Sequence, residues 1–268
     1  MSHAPSRAPD LAHGHTQETL APVLAALEGL AGLAPSAVLV NRLQRAAPLA
    51  ARAVRQAAHL DNPDWAALLD AVTVPETRMF RGAPQLAALR AHHLPGLAAR
   101  AGEAGLSLVS AGCATGEEAW TLAILADGVA PRWQVLGLDV SRPALLAAER
   151  ARYHRGPPDV LREMPEADRA SLLIDGASFE PAPHLRPLVR FQRGNLLDAP
   201  LPDADAILCR NVLIYLTEPA REAVLARLVA ALRPGGVLLL GPTDRPPASL
   251  GLRVCGRGGQ GIWQCGDG

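Results

Sequence analysis

The sequence predicts an α/β fold in which a doubly wound, mainly parallel sheet follows a small all-helical domain. Residues up to Val72 show only helical periodicity, whereas from Leu106 onward short apolar runs alternate with amphipathic helical segments. The chain has 268 residues, of which 49% are hydrophobic and only 3% aromatic, so Ala, Leu and Val must supply the core. This length allows one large domain or two modest ones.

The helical domain is expected over residues 16–74. Residues 1–15 are polar and punctuated by proline, which indicates a disordered tail. Ser36 and Asn62 are expected helix caps, and Pro22 is tolerated because it falls in a first turn. The four predicted helices run from a cap at Thr16 or Thr19 to about Leu30, over Ala37–Ala47, from Pro48 to near His59, and from Pro63 to Val72.

The second domain is expected over residues 75–268. It begins with a connector at Pro75–Gly82 and two helical stretches, Pro84–His93 and Leu94–Ala101. Strands are then predicted at Leu106–Ser110, Trp133–Leu138, Ala206–Cys209 and Val237–Leu240. Helices are predicted at Gly116–Asp127, Pro143–Tyr153 with Ser141 as its cap, and Glu218–Leu232.

One proline-rich interval, residues 154–193, breaks this alternation and is interpreted as a subdomain inserted at the rim of the sheet. It contains one helical piece, Glu166–Ile174, and a short strand pair formed by Ala177–Glu180 and Pro187–Phe191.

Charge composition excludes several classes of protein. The chain has no lysine, and its 26 basic residues, all arginine, balance 26 acidic residues to a formal charge of +0. Schiff-base and pyridoxal-phosphate enzymes, P-loop proteins and ordinary kinases all require a lysine and are therefore excluded. A nucleic-acid partner is not expected, because phosphate binding needs a net basic face. Coding bias is the simpler explanation of the missing lysine.

Targeting and cysteine patterns favour a reduced, cytoplasmic chain. No run approaches the roughly 20 apolar residues of a membrane span, so direct membrane insertion is not expected. The start of the chain lacks the apolar core of a signal peptide. The four cysteines show no CxxC pair or zinc-ligand spacing, and no metal is expected.

Two features predict a nucleoside site at the carboxyl edge of the sheet. Gly112 and Gly116 lie in a turn between the first predicted strand and its helix, where backbone N–H groups meet a ligand. Asp139 ends the next strand, where an acidic side chain can accept hydrogen bonds from ribose hydroxyls. Each feature alone is also compatible with an ordinary loop or helix start.

The late helix, turn and strand around Arg233-Pro234-Gly235-Gly236 resemble those of class I S-adenosylmethionine-dependent methyltransferases. Four motifs in order narrow the resemblance to the CheR family of chemotaxis-receptor glutamate methyltransferases. These motifs are Thr77-Arg78-Met79-Phe80-Arg81, Gly116-Glu117-Glu118-Ala119-Trp120, Gly194-Asn195-Leu196-Leu197 and Cys209-Arg210-Asn211-Val212-Leu213-Ile214-Tyr215-Leu216. The resemblance spans about Leu24 to the C-terminus and implies a class I methyltransferase fold with a small β insertion.

The resemblance also implies roles for residues that match the family's motifs. S-adenosyl-L-methionine would be the cofactor and S-adenosyl-L-homocysteine its product. Arg81 would pair with the methionyl carboxylate, Glu118 and also Glu117 would face the ammonium, and Tyr215 would stand near the methyl group. Arg81 and Tyr215 are therefore the catalytic candidates. The cofactor-binding candidates are Thr77, Arg81, Gly112, Glu117, Glu118, Asp139, Asn195, Leu196, Cys209, Arg210 and Asn211.

The implied substrate is a glutamate side chain in the cytoplasmic domain of a chemoreceptor or related signalling protein. A basic stripe on the N-terminal helices would dock it, and a monomer is expected. Scattered solvated arginines are the alternative interpretation of this stripe. It consists of Arg42, Arg45, Arg52 and Arg55.

Two other functions remain open at this point. One is methylation of a different acceptor, such as a small molecule. The other is a non-catalytic module that binds S-adenosylmethionine or S-adenosylhomocysteine and signals through the helical domain. The second is motivated by drift in the substrate-facing parts of the chain. Departures from the family pattern include Ala119-Trp120 in place of Pro-Tyr and Pro242-Thr243-Asp244 in place of His-Ser-Glu.

Overall fold

The computed structural model describes residues 11–255 and 261–266. The chain divides into two compact units, one ending at Val72 and the other beginning at Thr73. Within the described residues, no helix is both long and apolar enough to cross a membrane.

The first unit is all-helical, as the sequence predicts. Ser36 caps its second helix, its hydroxyl accepting a hydrogen bond from the Leu39 N–H at 3.2 Å. Asn62 caps the fourth through its side-chain oxygen, 3.0 Å from the Asp64 nitrogen and 3.3 Å from the Trp65 nitrogen. The helices are α1 (Leu11–Ala31), α2 (Ala37–Arg45), α3 (Ala47–Ala53) and α4 (Pro63–Val72).

Two boundaries in this unit differ from prediction. Helix α1 begins at Leu11, so the expected tail is helical from that residue, and Pro22 lies inside the helix rather than in its first turn. The rest of the expected tail, residues 1–10, lies outside the described residues. Helix α3 ends at Ala53 instead of near His59, and the following turn directs the Gln56 carbonyl to the indole N–H of buried Trp65 at 3.2 Å.

The second unit contains the predicted α/β fold, which is confirmed. The strands of its main sheet, numbered along the chain, are β1 (Leu106–Ala111), β2 (Trp133–Asp139), β6 (Val189–Arg193), β7 (Ala204–Cys209), β8 (Leu232–Leu240), β9 (Arg253–Cys255) and β10 (Ile262–Gln264). These seven strands have the order β6-β2-β1-β7-β8-β10-β9. The first five strands in this order are parallel, and β10 and β9 are antiparallel to their neighbours.

Helices pack against this sheet and so bury their apolar residues away from water. Helix α7 (Glu117–Asp127) is buried along almost its entire length, which requires the nearly continuous apolar composition that it has. The helices are α5 (Ala83–Ala88), α6 (Leu94–Ala101), α7 (Glu117–Asp127), α8 (Arg142–Arg150) and α9 (Glu218–Ala230). A π-helical turn, Leu89–His93, joins α5 to α6 where one continuous helix is predicted up to His93.

Three element boundaries in this unit lie earlier than predicted. Helix α9 ends at Ala230 rather than at Leu232, because Leu232 is already the first residue of β8 and pairs with Ala204. Helix α8 stops at Arg150 because Ala151 adopts φ +51°, and Tyr153 begins a strand instead. Strand β8 begins at Leu232 rather than Val237, and the register of its pairing with β7 shifts between Ala204 and Ala206.

The inserted segment differs most from prediction. Its strands β3 (Tyr153–His154), β4 (Leu172–Asp175) and β5 (Ser178–Pro181) form an antiparallel sheet in the order β3-β5-β4. The predicted helix Glu166–Ile174 is a 3-10 helix that ends at Ser171. The predicted pairing of Ala177–Glu180 with Pro187–Phe191 is wrong.

Residues 189–193 form β6, which pairs with β2 in the main sheet. The insertion therefore returns to the main sheet before it ends, instead of lying wholly at the rim. A strand pattern specifies which face is buried but not which neighbouring strand supplies the hydrogen bonds. Phe191 on β6 is held here by Trp120 on α7, with ring centroids 5.7 Å apart.

Candidate active site

The site candidates lie where the parallel strands β1, β2 and β7 end. In sheet order, β2, β1 and β7 are neighbours, and the chain reverses its direction of winding between β1 and β7. Open α/β sheets bind ligands in the crevice at such a switch point, outside the carboxyl ends of the strands. The residues after β1, β2 and β7 are therefore the ones that can meet a ligand.

The turn after β1 requires glycine at two positions. Gly112 has φ +78°, and a Cβ there would lie 2.4 Å from Val212 Cγ2 in the segment after β7. Gly116 has φ +94°, and a Cβ there would lie 2.6 Å from Ala148 Cβ on α8. Both the positive φ and the close approach exclude larger residues. The turn after β1 is thus packed against the segment after β7 on one side and against α8 on the other.

Asp139 is fixed by hydrogen bonds at the end of β2. One carboxylate oxygen accepts the Ala114 N–H at 2.8 Å, and the other accepts the Ser141 N–H at 2.9 Å. The Asp139 carbonyl accepts the N–H of Gly194, the first residue after β6, at 2.9 Å. A carboxylate offers about four acceptor positions, which suits it to hold backbone N–H groups and ligand hydroxyls together.

A buried ion pair joins α7 to the end of β7. Arg210 Nε donates to Glu118 Oε2 at 2.7 Å, and the two side chains are only 5% and 9% exposed. The hydroxyl of Ser110, on β1, donates to Glu118 Oε1 at 2.8 Å. Arg210 Nη1 donates to the Arg81 carbonyl and lies 3.4 Å from Gln85 Oε1. Both oxygens of Glu118 are therefore engaged within the protein.

Glu117 differs from its neighbour in that no basic side chain among the described residues forms a hydrogen bond with it. Its carboxylate accepts the Thr115 hydroxyl at 2.6 Å. Burial raises the pKa of Glu117 above its ordinary value, and the Thr115 hydrogen bond offsets only part of that effect. Because burial penalises the ionised form, a cation beside Glu117 would be favourable.

The segment before α5 is anchored to α7. Met79 and Phe80 are buried, and the Phe80 N–H donates to the Thr121 hydroxyl at 3.1 Å. Phe80 has φ +53°, which is rare for a bulky residue and is found mostly where function or packing imposes it. The half-buried Arg81 follows, and its Nη1 donates to the Glu76 carbonyl at 3.1 Å.

A pocket of about 260 Å³ opens between this segment and the insertion. Thr77 lies in its wall. The lining residues are Glu76, Thr77, Arg78, His154, Gly156, Pro157, Pro158, Val160 and Arg162.

Comparison with known families agrees with this geometry. The family model described as "CheR methyltransferase, SAM binding domain" matches residues 75–250, which is more than half of the chain.

The chain belongs to the CheR family.

Three CheR relatives give the extent of the similarity. A probable biofilm formation methyltransferase, WspC, of Pseudomonas putida is 34% identical over 235 residues, covering 78% of this chain and 54% of that protein. The chemotaxis protein methyltransferase of Klebsiella aerogenes is 34% identical over 199 residues, covering 68% of this chain and 63% of that protein. That of Salmonella typhimurium is 33% identical over 206 residues, covering 70% and 66%. The chain therefore spans between about half and two thirds of the length of these relatives.

The cofactor of this CheR domain is S-adenosylmethionine. The groups at the carboxyl edge suit its parts. A carboxylate at the end of β2, Asp139, matches the ribose hydroxyls, and the buried Glu117 matches a cationic amino group. Arg81 supplies a guanidinium for a carboxylate, and the two-point geometry of that group favours such a pair.

The other predicted CheR residues lie in the segments after β6 and β7. Asn195 is buried, and its side-chain oxygen accepts the Leu197 N–H at 3.1 Å. Leu196 is half-buried, and its carbonyl accepts from Arg227 Nε at 3.1 Å. Cys209 is fully buried, and this burial, followed by the charges of Glu118 and Asp244, raises its thiol pKa.

Asn211 and Tyr215 follow Cys209 in this segment. Asn211 adopts φ +60°, a conformation that asparagine tolerates better than most residues. Tyr215 is half-buried in a short 3-10 helix, Leu213–Tyr215.

Several contacts in the CheR site involve residues that the sequence did not single out. Ser110 had a local signal, as a polar residue near the end of an apolar strand. Gln85, Thr121 and Glu163 had none, because these partners lie 41 or more positions away along the chain. Within the described residues, no group of three or more His, Cys, Asp and Glu side chains could hold a metal ion.

The basic stripe lies in the first unit and is divided between two helices. Arg42 and Arg45 belong to α2, whereas Arg52 is on α3 and Arg55 follows it. Arg45, Arg52 and Arg55 are exposed, and Arg42 is half-buried.

Proposed function

We propose that this CheR chain transfers the methyl group of S-adenosylmethionine to glutamate side-chain carboxylates of a chemoreceptor or related signalling protein. The main support is that the family motifs form connected structure at one sheet edge. Arg210 links the motif after β7 to Glu118 of the glycine-turn motif and to the Arg81 carbonyl. Gly194, in the remaining motif, bonds to Asp139 at the end of β2.

Each part of the cofactor has a candidate partner at this edge. Asp139 would hold the ribose hydroxyls, and Asn195 and Leu196 would contact the adenine. Arg81 would pair with the methionyl carboxylate. Glu117, whose burial favours a nearby cation, would face the ammonium more directly than Glu118, which already bonds Arg210 and Ser110.

Transfer to a carboxylate needs positioning more than proton chemistry. When bound, the cofactor supplies an electrophilic methyl group on a sulfonium. An ionised glutamate is already a nucleophile, so holding it in line at near-attack distance can supply much of the rate enhancement. Tyr215 follows β7 at the carboxyl edge and would orient the acceptor. The lining residues would also exclude water.

The exposed arginines of the first unit would dock the acceptor protein. Arg52 Nε lies 3.0 Å from Asp64 Oδ1, with the side chains 61% and 31% exposed. Such a surface pair contributes little to stability, so Arg52 can exchange this partner for an acidic helix at small cost. On the strength of the family resemblance, the proposal also includes a monomer that acts in the cytoplasm on the cytoplasmic domain of the receptor.

A methylation assay tests the proposed activity. The full chain is incubated with methyl-labelled S-adenosylmethionine and the cytoplasmic domains of receptors from the same cell. Label released by mild base as methanol is expected, because a glutamate methyl ester is base-labile. Base-stable label would point to another acceptor. Tight binding of S-adenosylhomocysteine without any transfer would favour the non-catalytic alternative.

Charge reversals test the docking surface separately. Arg45→Glu and Arg55→Glu are expected to raise the KM for the receptor while leaving cofactor binding unchanged. Arg132→Glu is the matched control, because Arg132 is exposed but precedes β2 at the opposite edge of the sheet. Equal effects of all three variants would rule out the stripe as the docking surface.

A further inference from the structure

The peptide group between Arg81 and Gly82 is bonded on both sides by charged side chains. Its carbonyl, from Arg81, accepts a hydrogen bond from Arg210 Nη1. Its N–H, from Gly82, donates to Glu163 Oε2 at 2.7 Å. The peptide group is planar, so two opposed hydrogen bonds fix its orientation as a unit.

The carbonyl of this peptide group is held in place because its partner, Arg210, is itself fixed by an ion pair. Arg210 Nε bonds Glu118 at 2.7 Å, and Glu118 is held in turn by Ser110 at 2.8 Å. Gly82 has φ +74°, and a Cβ there would lie 2.9 Å from Arg210 Nη1. Glycine therefore allows the guanidinium to approach the backbone this closely.

The N–H side is held by Glu163, which comes from the inserted segment. One carboxylate oxygen accepts from Arg78 Nε at 2.7 Å and also from Arg78 Nη2. The other accepts the Gly82 N–H at 2.7 Å and lies 3.4 Å from the Ala83 nitrogen. Burial acts to raise the pKa of Glu163, but the hydrogen bonds from Arg78 and Gly82 outweigh it and lower the pKa overall.

We propose that Glu163 and Arg210 are positioning residues that clamp the Arg81–Gly82 peptide group and thereby aim the Arg81 side chain at the cofactor carboxylate. The inference rests on the proposed function, because it takes Arg81 as a cofactor ligand. A fixed peptide plane restricts ψ of Arg81 and φ of Gly82, so the guanidinium starts from one backbone geometry. Part of the ordering cost of binding is then already met in the free protein.

The clamp also gives the inserted segment a role in cofactor binding. Arg90 on the π-helical turn pairs with Asp168 in the same insertion at 2.7 Å and 3.0 Å. Two ion pairs, Arg78 with Glu163 and Arg90 with Asp168, therefore tie the inserted segment to residues 78–90. A loss of Glu163 should loosen the Arg81 segment while Arg90 and Asp168 preserve the overall attachment.

The test combines binding and amide exchange in the full chain. Glu163→Ala is expected to weaken S-adenosylhomocysteine binding roughly tenfold to a hundredfold in calorimetry, the range of one charge-assisted hydrogen bond. The Gly82 amide should exchange faster in the cofactor-free variant. Glu163→Gln keeps an oxygen acceptor for Gly82 and should recover part of the affinity. Arg78→Ala leaves the Gly82 bond in place and should lose less than Glu163→Ala.

Glu180→Ala is the matched control. Glu180 lies in the same insertion and is ion-paired at 2.8 Å to both Arg152 and Arg186, but these partners are outside the Arg81 segment. The Glu180→Ala variant should bind S-adenosylhomocysteine with an affinity within about twofold of wild type. This change is much smaller than the roughly tenfold minimum loss expected for Glu163→Ala.

Three outcomes decide the matter. An unchanged Gly82 exchange rate in Glu163→Ala and Glu163→Gln would show that there is no clamp. Faster exchange with wild-type affinity would show that the clamp does not aim Arg81. A wild-type chain that does not bind S-adenosylhomocysteine would refute the proposed function itself, and the cofactor role of the clamp with it.

Discussion

The buried pair of Arg210 and Glu118 gives the sharpest stability prediction. Arg210→Met removes the guanidinium and leaves Glu118, 9% exposed, with Ser110 as its remaining described partner. Removing one partner of a buried ion pair costs about 3–5 kcal/mol, because a charge is left buried without compensation. We therefore expect Arg210→Met to lower the free energy of unfolding by about 3–5 kcal/mol.

A double-mutant cycle with Glu118 separates the energy of the ion pair from the cost of burying an unpaired charge. In Glu118→Gln the amide oxygen can still accept a hydrogen bond, so a smaller loss of about 1–3 kcal/mol is expected. The double variant buries no unpaired charge, and its loss should fall short of the sum by about 2 kcal/mol, within the range for residues of one network.

The assay is urea unfolding of the cofactor-free chain, with hydrogen exchange in β1 and α7 reporting on the second unit. Arg152→Met is the matched control, because its 2.8 Å pair with Glu180 is 58% and 31% exposed and should contribute less than about 1 kcal/mol. If Arg210→Met costs no more than this control, or if the two single losses simply add, the buried pair does not stabilise the fold as argued.

Three further predictions concern the turn and the carboxylates around it. Burial raises the pKa of Glu117 in the folded state above its ordinary value of 4.5. The folded protein therefore binds the carboxyl proton more tightly than the unfolded chain, and it loses stability as pH rises from 4.5 through the folded-state pKa. The advantage of Glu117→Gln in urea unfolding should therefore grow as pH rises above that value, and a pH-independent difference would contradict the argument. Gly112→Ala should lower the free energy of unfolding by about 2–4 kcal/mol, because of its positive φ and the 2.4 Å approach to Val212. Adding Val212→Ala should relieve the steric contact but not the backbone strain. A Gly112→Ala variant as stable as the wild type would refute both causes. Asp139→Ala should lose about 1–3 kcal/mol, because the Ala114 N–H loses its acceptor, and should abolish S-adenosylhomocysteine binding in calorimetry. Asp139→Asn retains one acceptor oxygen and should be the more stable of the two, so the reverse order would count against the bonding described.

Local signals account for much of the fold that could be predicted. The caps Ser36 and Asn62 were correct because a cap depends on residues two or three positions away. Strands β1 and β7 were found within two residues at each end, because a buried strand is an apolar run between polar ends. The short strands β9 and β10 were missed, since their few residues carry no clear alternation.

The sequence did not predict structure that depends on contacts with residues far along the chain. The residues of β6 were identified as a strand, but the competing edges of the inserted sheet and of β2 could not be ranked from their pattern. The sequence pattern predicts that helix α8 continues to Tyr153, but Ala151 ends it in a left-handed conformation that alanine rarely adopts. In both cases tertiary packing overrode the local preference.

By itself, the sequence determined the α/β class, the order of the main helices and strands, and the edge of the sheet at which a ligand would lie. Periodicity and chain order are local properties, and parallel strands that alternate with helices bring their carboxyl ends to one edge. Only the tertiary structure decided how the site is held together. Arg210 meets Arg81 across 129 positions, and Glu163 meets Gly82 across 81. Such pairs depend on how separate elements pack, and no spacing along the chain encodes them.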